Sequence, residues 1–208
     1  MAKFTVNYFE AKWLAEPIRM ILSYGGHEFV DNRFKRDDWA SIKPTTPCGQ
    51  APFLEVDGKK LGQSRAICRY LAKQNGLVPD NDWDAARCDM IVDYSDDFRN
   101  PLGQIYFETN EEIKKEKFAK YMEGVPNFLN NFEKFLKENG SNGFLVGDKL
   151  TWADIYVSYC ITLVQAVVTK MEQSISCDKY PLCKALISKV ESLPKIAEWI
   201  AKRPQTDF

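Results

Sequence analysis

Two points in the segment 48–65 carry groups that could bind a small ligand. Ala51 precedes Pro52, which biases it toward an extended backbone whose N–H and C=O can pair with a ligand as an edge strand would. Ser64 is placed to open a helix, and a helix N-terminus attracts anions through its free N–H groups and its dipole. Gln63 and Ser64 add side-chain donors there. A ligand with a peptide-like backbone and a carboxylate would fit both points; the alternative is a plain hairpin followed by a capped helix.

Tyr8 is a third residue whose type and position suggest chemistry. Apolar and polar residues alternate over 4–8, which predicts a half-buried strand with Tyr8 on its inward face at the end. The phenol is then either a side chain at the edge of the core or a donor held at the mouth of a site. Trp39 and Lys43 follow in a polar stretch, where a tryptophan is typical of packing and a lysine of a solvated charge.

The elements that must position these residues fall within the first 79 residues. The pattern predicts a strand at 4–8, a helix over 14–24, a strand near 29–30 and an irregular loop containing Trp39 and Lys43. A hairpin then turns at Val56–Lys59, and a helix starts at Ser64. Because a helix between two strands implies a right-handed parallel crossover, we expect a mixed four-stranded sheet with helices on both faces. This is an α/β, thioredoxin-like arrangement.

The second half, 82–208, is predicted to be an all-helical domain. One helix should run from Asp84 to Asn100, where Pro101 would end it, with Met90 in its core stripe, and a second over 111–139. Thr151–Asp154 forms a capping box before a helix that is apolar on most faces and should be buried. Two shorter helices are predicted near 182–191 and 195–202.

Composition restricts the function classes. A net charge of −1 gives no general attraction to nucleic acid or to anionic membranes. No apolar run approaches the ~20 residues that span a bilayer, and we expect a cytoplasmic protein without a signal segment. Six cysteines without a CxxC pair, and a single histidine, make a metal site unexpected and suggest reduced thiols.

A series of short motifs runs from the first strand to the C-terminal end of the chain. Together with the thioredoxin-like first half and the helical second half, they resemble the cytosolic glutathione S-transferases, and the sigma class in particular, over essentially the whole chain. The motifs are Tyr8-Phe9, Ala15–Arg19, Asp38-Trp39, Ile42-Lys43, Gly49–Pro52, Leu54–Gly58, Gln63-Ser64, Ile91–Asp93, Thr151–Asp154 and Lys202–Thr206.

The resemblance implies a transferase with glutathione as co-substrate, and it assigns the residues that bind it. Ala51, before a cis Pro52, would pair with the cysteinyl backbone, while Gln63 and Ser64 would hold the γ-glutamyl end. Asp97 would reach the γ-glutamyl amine of the ligand in the partner of a homodimer. The residues implied for the glycine carboxylate and the groove beside it are Trp39, Lys43, Gly49 and Gln50.

Catalysis is assigned by the resemblance to Tyr8, whose hydroxyl would donate a hydrogen bond to the glutathione sulfur. Leu14 stands where some sigma members carry arginine, and Gln104 stands near a tryptophan of the prostaglandin-isomerising members. Both differences favour conjugation of small hydrophobic electrophiles, such as lipid-peroxidation products, over prostaglandin isomerisation; peroxidase activity also stays open. An electrophile pocket between the domains is implied, with the candidates Phe9, Leu14, Gln104, Tyr156 and Phe208.

Two other function classes remain as rivals. A thiol transferase needs a cysteine at the end of the first strand, where this chain has Tyr-Phe-Glu-Ala over 8–11. A non-catalytic carrier or structural protein would use the same fold. The presence of Tyr8 together with the whole glutathione set favours an active enzyme. Cys48, which replaces an aromatic residue, could make the site sensitive to oxidants.

Overall fold

The computed structural model describes residues 3–206 and divides into two compact units. The first unit contains the chain up to Val78 together with the part from Glu191 onward, and the second is Pro79–Val190. The predicted boundary at residues 79–82 lies beside this division, whereas the segment from Glu191, predicted in the helical half, groups with the first unit. The predicted assignment of domains, 1–79 and 82–208, stays a prediction.

The first unit is built on a four-stranded mixed sheet. Its strands are β1 (Phe4–Phe9), β2 (Phe29–Phe34), β3 (Phe53–Val56) and β4 (Lys59–Gly62), in the order β2-β1-β3-β4. β1 pairs parallel with β2 and antiparallel with β3, which pairs antiparallel with β4. The predicted thioredoxin-like sheet with a parallel crossover is confirmed.

The β3–β4 hairpin turns at the predicted residues. Asp57 has φ 47° and Gly58 φ 80°. Two positive φ values in a two-residue loop are typical of a type I′ turn, whose twist matches that of the flanking strands. The turn sets the register of β3, and β3 in turn begins directly after Pro52.

Three helices follow β1, β2 and β4 in this unit. α1 (Glu16–Tyr24) is preceded by a 3₁₀ turn at Trp13–Ala15, close to the predicted start. α2 (Trp39–Ile42) is one α-helical turn flanked by 3₁₀ turns on both sides. The prediction of an irregular loop here was therefore wrong, because these pieces are too short to show a helical period. α3 (Ser64–Gln74) begins where predicted, but Gln63, not Ser64, occupies its N-cap position.

The second unit contains the four helices α4 (Asp82–Tyr106), α5 (Glu111–Glu138), α6 (Trp152–Lys170) and α7 (Pro181–Glu191). Two details of the α4 prediction were wrong. Pro101 lies inside the helix instead of ending it, since proline removes one backbone donor without preventing the next turn from forming. Met90 is 49% exposed and does not belong to the core stripe.

α6 is the buried centre of the second unit, as the sequence predicts. By length and composition it could cross a membrane, but 78% of its apolar window is buried inside the protein, as in the core helix of a soluble protein. Asp154, fully buried, accepts hydrogen bonds from the Thr151 backbone N–H (2.7 Å), the Thr151 hydroxyl (2.8 Å) and the Leu145 N–H (2.7 Å). The capping box therefore also fixes the loop before α6.

α8 (Pro194–Lys202) returns to the first unit and packs on α1. Glu16, fully buried at the start of α1, accepts hydrogen bonds from Trp199 Nε1 (2.7 Å) and Arg203 Nη1 (2.8 Å). The same carboxylate pairs with Arg19 Nη1 (3.1 Å). Arg19 Nε also contacts Asp31 on β2 (2.7 Å), so one ionic network ties both helices to the sheet.

Asp154→Asn tests the capping box. Burial raises the pKa of the Asp154 carboxyl to about 6, even though the three hydrogen bonds lower it. Because the folded-state pKa lies above the unfolded value of 3.8, the protonated Asp154 carboxyl contributes to the stability of the fold. That contribution is fully present below pH 3.8 and is lost as the pH rises through 6. We expect Asp154→Asn to lower the free energy of unfolding by about 1–3 kcal/mol at pH 7, because an amide cannot accept all three bonds.

The change of this stability difference with pH tests the raised pKa of Asp154. The stability difference between wild type and Asp154→Asn, measured by urea unfolding, should grow by roughly 3 kcal/mol between pH 7 and pH 4. Asp148→Asn, at an exposed position nearby, should leave the profile unchanged. An equal difference at both pH values would contradict the raised pKa.

Candidate functional site

The register of β1 and β2 defines the position of Tyr8. Tyr8 is aligned with Arg33, and only 6% of its surface is exposed. The pair before it is joined by a hydrogen bond from Asn32 Nδ2 to Asn7 Oδ1 (2.7 Å). Because side chains alternate along a strand, Tyr8 and Arg33 share the face opposite to that of the two asparagines. Tyr8 is thus the last of the buried side chains Phe4, Val6 and Tyr8, which the sequence predicts on one face of β1.

An aromatic cluster lies at this end of β1, and Tyr8 contacts it through Phe9 with 5.5 Å between ring centroids. Phe9 contacts Phe34 with 4.8 Å and Trp39 with 5.3 Å between ring centroids, and Phe34 stacks on Trp39 at 5.8 Å. Trp39 therefore packs against two aromatic rings, and part of its surface stays exposed at the start of α2. Phe9, proposed from the resemblance to line an electrophile pocket, lies in this cluster.

The Ala51–Pro52 peptide bond is cis. The resemblance implied this isomer, and the sequence alone made it only a minority form. Ala51 is half-buried and lies two residues before β3. Ala51, predicted to pair with a ligand backbone, therefore lies just before the start of β3 and directly after Gln50 of the predicted groove.

Gln63 and Ser64 lie at the N-terminus of α3, and Gln50 reaches them from the preceding loop. Gln63 Nε2 donates to Gln50 Oε1 (2.9 Å). Gln63 has φ 67°, a conformation that non-glycine residues rarely adopt and that costs of order 1 kcal/mol. The loop and the helix N-terminus are thereby joined into one surface that carries amide groups and free helical N–H groups.

The loop 43–51 is folded against this surface. A Cβ at Gly49, whose φ is 64°, would lie 3.6 Å from Lys43 Cε, which brings these two predicted residues together. A Cβ at Gly62 would lie 3.5 Å from Cys48 Sγ, so the thiol borders the end of β4. Cys48 is the exposed member of the six cysteines; the other five are buried.

The remaining candidates are placed differently. Leu14 is half-buried in the 3₁₀ turn before α1. Asp97 and Gln104 are exposed on α4 of the second unit, where Tyr156 is fully buried on α6. Phe208 lies outside the described residues.

Sequence reasoning missed a buried polar cluster in the second unit. Tyr156 Oη donates to Asp96 Oδ1 (2.9 Å) and accepts from Arg99 Nη1 (3.1 Å). Arg99, 3% exposed, also pairs with Asp96. Nearby, burial raises the pKa of the Cys160 thiol to about 12, so this thiol stays protonated. The spacing of Asp96 and Arg99 is that of a helical ion pair, the one signal that could have indicated the cluster.

Family comparison agrees with both units. The family model described as "Glutathione S-transferase, N-terminal domain" matches residues 5–73, and "Glutathione S-transferase, C-terminal domain" matches residues 96–203. The chain belongs to the glutathione S-transferase family. Glutathione S-transferases use glutathione as co-substrate and act on electrophilic substrates, so the chain is assigned this activity.

Individual relatives of this glutathione S-transferase cover nearly its full length. Glutathione S-transferase S1 of Drosophila melanogaster is 38% identical over 98% of this chain and 80% of its own. Hematopoietic prostaglandin D synthase of Gallus gallus is 38% identical over 99% of both chains. The solved structure of prostaglandin synthase D of Nilaparvata lugens is 40% identical, with a TM-score of 0.89 over 98% of this chain and 100% of that chain. The predicted glutathione S-transferase fold is confirmed.

Proposed function

We propose that this glutathione S-transferase activates glutathione through Tyr8 and transfers it to small hydrophobic electrophiles. The observation that carries the proposal is the position of Tyr8. Its ring ends the buried row of β1 in the same unit as the Gln50–Gln63 contact and the loop 43–51. A phenol fixed by packing on a strand is a donor of defined direction.

The chemistry requires a thiolate. A free thiol titrates near ~8.5, so only a few per cent is ionised at neutral pH. A hydrogen bond to an ionised acceptor is worth roughly 1.5–3 kcal/mol, which corresponds to a lowering of the thiol pKa by about one to two units. The thiol proton leaves to solvent, and Tyr8 keeps its own proton as the donor. The sulfur then forms a bond to the electrophilic carbon. An aryl halide releases its halide ion from that carbon, whereas an unsaturated carbonyl compound takes up a proton from solvent at the neighbouring α-carbon.

The other groups of the first unit would hold the tripeptide in place. Gln63 and Ser64 at the N-terminus of α3 suit the γ-glutamyl carboxylate, because a helix N-terminus favours an anion. The Ala51 backbone would pair with the cysteinyl amide. Trp39, Lys43, Gly49 and Gln50 complete the proposed glutathione set.

We further propose sigma-class membership and detoxification, including that of lipid-peroxidation products, on the motifs that span the chain. Isomerisation of prostaglandin endoperoxides is a second candidate function, favoured by the similarity to two proteins named as prostaglandin D synthases. Gln104, near the position where such enzymes place a tryptophan, favours conjugation instead. The electrophile-pocket residues, the peroxidase activity, the expected lack of a metal and the cytoplasmic location stay predictions.

A homodimer is proposed from one face of α4. Trp83 and Met90, which are 75% and 49% exposed, and the exposed Asp97 recur every seven residues and therefore line one side of the helix. Apolar side chains in such a row mark an interaction surface. A second copy of the chain that covers this row would also bring Asp97 close to the glutathione bound by that copy, as the proposed role of Asp97 requires.

Tyr8→Phe tests the catalytic proposal. The variant keeps the packing and loses the donor, so kcat/KM for glutathione with a chromogenic aryl halide at pH 6.5 should fall about 10–100-fold. The apparent pKa in its pH–rate profile should rise by about one to two units. Tyr24→Phe, a tyrosine at the far end of α1, is the matched control. Unchanged activity in Tyr8→Phe would remove this phenol from the mechanism, while tight glutathione binding without turnover in wild type would favour the carrier role.

Gln63→Glu tests the proposed γ-glutamyl site. A carboxylate at the N-terminus of α3 would repel that of the ligand, and we expect glutathione affinity measured by calorimetry to fall about tenfold or more. Gln74→Glu, at the last residue of the same helix, makes the same chemical change away from the site. Equal affinities of the two variants would place the γ-glutamyl group elsewhere.

Met90→Glu tests the dimer. Wild type should sediment as a dimer at micromolar concentration and Met90→Glu as a monomer, because a buried charge without a partner opposes association. Ala119→Glu, at an exposed position of α5, should remain dimeric. Asp97→Ala should stay dimeric and bind glutathione more weakly. A monomeric wild type would overturn both the dimer and the role of Asp97.

A further inference from the structure

Arg33 on β2 is a buried cation whose charge is only partly satisfied. Its side chain is 9% exposed, and its Nε donates to Asp31 Oδ2 (2.8 Å). Nη1 and Nη2 are both buried and have no hydrogen-bond partner among residues 3–206. A buried guanidinium left with unpaired N–H groups is costly to folding.

The register of the sheet aligns Arg33 with the proposed donor of the reaction, while its guanidinium contacts Asp31 on the same strand. Arg33 is aligned with Tyr8 on the neighbouring strand. The aligned pairs on both sides contact each other through their side chains, Asn7 with Asn32 and Phe9 with Phe34. Since these neighbours occupy the opposite face, Tyr8 and Arg33 project together from the α1 face of the sheet.

The charges around Arg33 belong to one shared network. Asp31 is shared, because its Oδ1 contacts Arg19 Nε (2.7 Å) while its Oδ2 contacts Arg33. Glu16 is shared between Arg19 and Arg203. Arg203 also interacts electrostatically with Glu191, so the described part of this network contains three guanidinium groups and three carboxylates. Arg33 is the member in register with Tyr8.

Neighbouring elements contribute backbone acceptors to this network. The loop before α1 supplies the backbone carbonyls of Ala11 and Lys12, which accept from Arg19 Nη1 (2.9 and 3.5 Å). Lys12 itself carries a positive charge. The 3₁₀ turn that follows contains Leu14, which is uncharged, at the position where some sigma members have arginine.

We propose that Arg33 is a positioning residue that favours the ionised form of bound glutathione through its charge beside Tyr8. The inference deepens the proposed function and rests on it. A fixed positive charge close to a developing anion stabilises that anion, and in a buried setting the effect is only weakly screened. The same charge polarises the Tyr8 hydroxyl and strengthens it as a donor. The thiol proton leaves to solvent, and no bond of Arg33 is made or broken.

Titration of the bound thiol tests the proposal. The ultraviolet absorbance of the thiolate is followed against pH in complexes of glutathione with wild type, Arg33→Met and Arg33→Lys. We expect Arg33→Met to raise the pKa of the bound thiol by about one unit. Arg33→Lys, which keeps the charge, should restore most of the wild-type value. Lys59→Met, which removes one exposed positive charge from β4 at the far edge of the sheet, should leave the pKa unchanged.

Two further measurements separate charge from structural damage. The affinity for S-methylglutathione, which has no thiol, should be the same in wild type and Arg33→Met. Asp31→Asn removes a counter-charge of Arg33 and should move the thiol pKa downward, a direction that loosened packing would not give. If Arg33→Met does not fold, Arg33→Gln takes its place, since its amide can still donate to Asp31.

The outcomes distinguish this inference from the function on which it rests. A lowered thiol pKa in wild type that is unchanged in the neutral Arg33 variants overturns the role of Arg33 and leaves the activation of glutathione by Tyr8 intact. A wild-type thiol pKa equal to that of free glutathione overturns both. Weaker S-methylglutathione binding in step with the pKa change would mean that Arg33 acts on the fold of the site.

Discussion

The pairing of β1 with β2 is the constraint on which the first unit depends. Because side chains alternate along a strand, a slip of one residue would exchange the two faces of β1. Tyr8 would then join the aromatic cluster of Phe34 and Trp39, and Phe9 would take its place beside Arg33. The observed register is supported by the Asn7–Asn32 hydrogen bond, and on the other face Arg19 joins α1 to Asp31 on β2. The direction of one phenol thus depends on the pairing of the residues beside it.

Buried carboxylates provide the second level of organisation. Glu16 binds Trp199 and Arg203, which fixes α8 against the start of α1, and Arg19 carries the network onward to Asp31 on β2. Buried ion pairs contribute little net stability, because desolvation offsets the attraction between the charges. Their value here is geometric, since each carboxylate accepts only donors that lie in one arrangement. In the second unit Asp154 acts in the same way on the loop before α6.

Local patterns predicted most of the fold. The Asp57-Gly58 turn, the parallel crossover and the Thr151–Asp154 capping box depend on neighbours within a few residues, and the structure has all three. The predictions that failed depend on distant contacts. α2 and its flanking 3₁₀ turns are too short to produce a period. Met90 matches a helical stripe, but its side of α4 is not covered within its own unit.

The candidate site was predictable in part for the same reason. Tyr8, Gln63 and Ala51 have a local signature, in strand alternation, a helix start and a following proline. Arg33 pairs with Asp31 on its own strand and Arg99 with Asp96 on its own helix, but such spacing does not tell which arginine is buried. Family resemblance supplied the roles of Trp39, Lys43 and Asp97, which residue type alone would assign to packing or to solvated charge.

The central claim is that the first unit keeps the sulfur of bound glutathione charged at neutral pH. Nuclear magnetic resonance of glutathione labelled with ¹³C at the cysteinyl Cβ reports this directly, because the chemical shift follows ionisation of the neighbouring sulfur. We predict that the bound thiol of the wild-type protein titrates about one to two units below free glutathione. A bound signal that titrates together with free glutathione would contradict the account.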